Sequence, residues 1–130
     1  MRADDLARLF VDHVYLPAIS ATVGNLEAPP GRSPATDLRK ASEWFASLNQ
    51  QDRDMVLWVV AAAAHSATFG SLALIDGVRP SGPDRYEVVA VDQAGARQVI
   101  NPESSSYLHE AFQALVMLPD GRLRTSSATG

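Results

Sequence analysis

Apolar side chains return at helical spacing through most of this chain, and the period changes only past residue 85. Over residues 4–24, Leu6, Leu9, Phe10, His13 and Val14 recur at intervals of three and four, which predicts a first helix. Asp4 and Asp5 suit the positive end of its dipole, and Pro17 should kink it or end its first half. "NLEAPPGRSP", residues 25–34, reads as loop, because Pro-Pro-Gly cannot continue a helix. A second helix runs from Thr36, a suitable N-cap, to about Leu48, with Leu38, Ala41, Phe45 and Leu48 in one stripe and Trp44 beside it. Asn49 can cap a third helix, with Asp52 imitating a capping box; it should stop at "DG", Gly77 taking the left-handed position with Pro80 beyond.

The period then shortens. "VRPSGPDR" (78–85) is loop, and "YEVVAVD" (86–92) followed by "RQVI" (97–100) reads as a β-hairpin whose four-residue turn contains Gly95. Asn101 and Pro102 look like the cap and first position of a last helix, whose buried stripe is Leu108, Ala111, Phe112 and Leu115. His109 and Glu110 fall opposite that stripe and read as solvated. "PDG" at 119–121 is a turn, and the segment to residue 130 reads as a loose tail; the alternative is a second hairpin in "LVMLPDGRLRT". A lone two-stranded hairpin is marginal in water, so it must lean on the helices. The expected fold is therefore α+β and mostly α. About four helices, including a central apolar helix over residues 50–76, carry a hairpin over residues 85–100 within one domain spanning 1–118.

"MVLWVVAAAAHSATFGSLALI", Met55–Ile75, holds no acid, Lys or Arg, and its 21 residues are long enough to cross a bilayer. Alanine, serine, threonine and glycine form about half of it, and they supply little transfer energy. Asp52, Asp54 and Asp76 crowd its ends, and Arg53 alone makes no positive-inside flank. The run is accordingly expected to be a core helix, with no membrane partner.

Composition narrows the chemistry. At 130 residues, 46% hydrophobic and 20% charged, the chain is of ordinary globular make-up. Zero cysteines exclude disulfides, thiolate catalysis and Cys-ligated metal, and an acidic N-terminus without an apolar h-region points to the cytoplasm. Ten of eleven cations are Arg, which with the alanine content suggests a GC-rich bacterial genome. A net charge of −4 and scattered arginines argue against nucleic acid. No P-loop, GxGxxG, GxSxG or HExxH occurs, so no cofactor or metal is expected. The acid pairs Asp4/Asp5 and Asp52/Asp54 sit at helix starts, where the dipole accounts for them. His65 shares a helix face with Trp58 and Phe69, and Asp76 and Arg79 could stand at the rim of a pocket around it. The plainer reading makes His65 a hydrogen-bonded core histidine.

The segment "HSATFGSLALIDGVRPSGPDRYEVVAVDQAGARQVINPESSSYLHEAF", His65–Phe112, resembles small uncharacterised bacterial proteins laid out like immunity proteins, which neutralise toxins delivered by competitors. The shared features are a helix ending in "LIDG", a hairpin leading into "NP" and a closing "LHEAF". The resemblance implies a non-enzymatic intracellular protein whose acidic charge meets a protein partner such as a basic toxin. The alternatives are a small enzyme or ligand-binding domain around His65, Trp58, Phe69, Asp76 and Arg79, and a homodimer joined through the small-residue helix or a hairpin edge.

Overall fold

The computed structural model describes residues 1–78, 82–102 and 107–127. The first helical rod is continuous from Ala3 to Glu27, in three parts: α1 (Ala3–Phe10), a π-helical segment (Val11–Tyr15) and α2 (Leu16–Glu27). Asp5 opens it by accepting from the Arg2 backbone N–H at 2.8 Å. Pro17 neither ends nor breaks the rod. The strain of a prolyl ring is taken up by the wider turn just before it, where the Leu16 N–H donates five residues back to the Val11 carbonyl. Ala3, Ala7, Val11, Tyr15 and Ile19 form the rod's buried face, and His13, aligned with the apolar positions in the sequence, lies exposed.

Helix α3 (Thr36–Ser47) folds back on α2, with the Ser42 hydroxyl donating to the Leu26 carbonyl at 2.7 Å. Ala35 rather than Thr36 holds its N-cap position. Helix α4 (Gln50–Ile75) begins as expected: the Asn49 side chain accepts from the Asp52 N–H at 2.8 Å. It ends in a Schellman turn, with Gly77 at φ 78° and the Val78 and Gly77 N–H groups bonded to Ala73 and Leu74.

Strands β1 (Val89–Val91) and β2 (Arg97–Val99) pair antiparallel, Ala90 opposite Gln98. Their turn is held by Asp92, whose Oδ1 accepts from Ala94 and Ala96 at 2.9 Å, with Gly95 at φ 85°. Asn101 does not cap the last helix. It is buried and pins the hairpin, accepting from the Val88 N–H at 2.7 Å and donating to the Tyr86 carbonyl at 3.0 Å. Helix α5 (Leu108–Val116) buries Leu108, Phe112 and Val116. Beyond it the chain turns at Gly121 and returns as an arm: Met117 bridges Leu123, the Arg124 N–H donates to the Val116 carbonyl at 2.7 Å, and Leu123 packs on the core.

The fold is α+β and mostly α, four helical rods and one hairpin among the described residues. The α1 face, the π segment, α5 and one side of α4 enclose a single core, which Val88, Ala90 and Ile100 close from the hairpin. Apolar all round, α4 is covered on one side only. Ala61, Thr68, Leu72 and Ala73 are buried, whereas Met55, Trp58, Val59 and Leu74 are exposed. The rods α2 and α5 and the π segment pack on it, and α3 touches its start, where the Arg53 guanidinium lies over the Phe45 ring.

Candidate functional site

Two places on α4 gather chemistry: its seam with α5 and a cleft under the C-terminal arm. At the seam, Asp76 closes α4 and caps α5. Its carboxylate accepts from the Leu108 N–H at 3.1 Å, the His109 N–H at 2.9 Å and the His109 Nδ1–H at 2.6 Å. The carboxylate is 1% exposed and the imidazole 13%, so His109 is not the solvated residue that its position opposite Leu108 and Phe112 suggested. A negative group at a helix N-terminus is favoured by the exposed amides and the dipole, and it explains how α5 starts without a side-chain cap of its own. All three bonds hold α5 against α4.

The same seam carries a row of rings. The His109 ring meets Phe69 edge-on at 5.2 Å, Phe69 stacks on His65 at 5.7 Å, and His65 stacks on Phe112 at 5.8 Å. His65 Nε2–H donates to Gln113 Oε1 at 2.6 Å. Such a side chain, flanked by two phenyl rings and bound to one amide, matches the hydrogen-bonded core histidine better than a free base. Tyr15 enters from the π segment, its ring edge-on to Phe112 at 5.5 Å and its hydroxyl donating to the Arg124 carbonyl at 2.6 Å. Burial pushes the Tyr15 phenol above its ordinary value of 10.0.

The cleft lies between the Asp54–His65 face of α4 and the arm from Met117 to Ser126, and has a volume of about 940 Å³. Trp58, 62% exposed, forms one wall and Arg124 belongs to the other. Along the next face of α4, Met55 and Val59 are 61% and 53% exposed, followed by Ala63, Ser66, Ala67 and Leu74, with Asp52 and Asp54 at the N-terminal end. Helix α4 holds an 18-residue stretch of mean hydropathy 1.5, long and apolar enough to cross a membrane, and 22% of that stretch is buried within the fold.

The five residues expected around one pocket are thus divided. His65 and Trp58 line the cleft; Phe69 and Asp76 belong to the α4–α5 seam; Arg79 lies outside the described residues. His109, Gln113 and Arg124 went unread. His109 and Gln113 stand one turn apart on α5, as His65 and Phe69 do on α4, and that paired spacing was the available signal. Among the described residues no three His, Asp or Glu side chains converge as a metal site would need. No protein-family model matches the chain, and comparison with curated proteins and with solved structures likewise finds no match.

Proposed function

We propose that the chain is a non-enzymatic, acidic protein-binding module acting in the cytoplasm, with the open face of α4 as its contact surface. One observation carries this reading: Met55, Trp58 and Val59 are each more than half exposed on a helix stretch without a charge. Soluble monomers seldom leave such apolar faces uncovered, and exposed Trp and Met are residues that interfaces favour. The seam supports the non-enzymatic part, since Asp76, His109 and His65 are all engaged in joining α4 to α5.

The partner is a basic protein. Asp52 and Asp54 stand exposed at the end of the face, and the chain carries a net charge of −4, so an opposite field would speed encounter and fix orientation. Its most concrete form is a bacterial toxin, as the resemblance over His65–Phe112 implies.

Co-purification with the wild-type chain and with a Met55→Ser/Val59→Ser variant tests this. One stoichiometric basic partner, held by the wild type, released by salt and lost by the variant, is the expected result. Equal capture by both chains, or sedimentation of the wild type with phosphatidylcholine vesicles in place of a protein partner, would overturn it.

A further inference from the structure

The cleft beneath the C-terminal arm shares Trp58 with the open α4 face but adds an arginine and an apolar floor of its own. Its floor is apolar, with Leu57 and Ala61 from α4 and Leu123 from the arm. Trp58 adds a large aromatic surface that the fold leaves bare. Such a floor takes the body of a small organic molecule, and about 940 Å³ is within the size range of sites for one.

The charged groups fix the sign. Asp54, an acid on the lining, accepts from Gln50 Nε2 at 2.8 Å, and Arg122 is paired with Asp120 at 2.6 Å. Arg124 differs from both. Its backbone is held at two points, the N–H on the Val116 carbonyl and the carbonyl on the Tyr15 hydroxyl. Its guanidinium, on a half-buried residue, makes no hydrogen bond or ion pair among the described residues. A cation held in place and left unpaired beside an apolar floor wants an anion, and the planar guanidinium fork matches a carboxylate with two parallel hydrogen bonds.

We propose that this cleft binds a small aromatic carboxylate, the carboxylate on Arg124 and the ring against Trp58. A polyphosphate would need more positive charge than one unpaired arginine, and the Asp54 carboxylate on the same lining disfavours it further. The Thr125 and Ser126 hydroxyls, on the same wall, can serve further polar atoms of the ligand.

The test uses 1-naphthoate as the probe and 1-naphthalenemethanol, of nearly the same shape but uncharged, as its control. The chain has two tryptophans, so a Trp44→Phe variant leaves one indole N–H signal in a nitrogen-15 spectrum, that of Trp58. A saturable shift of that signal by naphthoate is expected, with the alcohol about tenfold weaker. Arg124→Gln should bring naphthoate down to the affinity of the alcohol and leave the alcohol unchanged. Should that variant melt early, Arg124→Lys keeps the charge without the fork and is expected to fall between the two. Equal affinity for acid and alcohol, indifference to both substitutions, or no saturable shift would overturn the proposal.

Discussion

Replacing Asp76 by alanine strips three hydrogen bonds from the joint between α4 and α5 at once. The Leu108 and His109 amides lose their acceptor at a helix start, and the His109 imidazole loses a partner 2.6 Å away. Losing an N-cap costs about 1 kcal/mol. A hydrogen bond to a charged group adds about 1.5–3 kcal/mol, and solvent screens little here because the carboxylate is 1% exposed. The sum, about 2.5–4 kcal/mol, is a large share of a domain stability of roughly 5–15 kcal/mol. Urea denaturation followed by circular dichroism reads it as a lower midpoint at unchanged slope. Asp76→Asn retains one carbonyl acceptor and should lose about half as much, and His109→Ala should cost less than Asp76→Ala because both backbone bonds persist. An Asp76→Ala protein within about 0.5 kcal/mol of the wild type would refute the claim that this carboxylate clamps the two helices.

Tyr15→Phe should cost about 1 kcal/mol at neutral pH through the lost bond to the Arg124 carbonyl. Because burial raises the Tyr15 phenol, the unfolded chain ionises first; the wild type should lose stability as pH rises past about 10, and the phenylalanine variant should lack that loss in thermal melts. Leu72→Ala, on the covered face of α4, should cost about 2–5 kcal/mol. Met55→Ser/Val59→Ser, on the open face, should change the denaturation midpoint by only about 0.5 kcal/mol per site, and the reverse ranking would mean that the helix presents its other side.

What could be read from residues alone was whatever one element decides for itself. The span of α4 followed from Asn49 and Gly77, the hairpin from β-branched residues around Gly95, and the buried face of α5 from Leu108 and Phe112, although Ala111 and Leu115 are only half-buried and Val116, unread, is buried. The failures share one cause: they depend on a second element. His109 faces away from the stripe of its own helix, yet α4 covers that side too. Asn101 has the chemistry of a cap, and the segment leading into β1 claimed its amide. A helix apolar all round has no contrast between faces, so its pattern could not say which side of α4 the other rods would reach. Arg124 sits in an arm with no periodicity, and only the folded molecule brings it opposite Trp58.

The π-helical turn at Val11–Tyr15 makes the first rod a helix with one residue too many. Each residue of an ordinary helix turns the chain by about 100°, and the wide turn spends one extra residue on the same revolution, so deleting Asp12 would let the turn close into a regular one and leave the segment before it on nearly the same face. Ala3 and Ala7 would then still face α5, with Ile19 in place, but Pro17 would lose the wide turn that accommodates its ring. Loops absorb insertions and deletions freely and regular helices do not, but here a single lost residue would leave the two halves of one rod in phase. Chains descended from a common ancestor with this one should therefore show one residue fewer between Ala7 and Ile19 only where Pro17 is replaced as well.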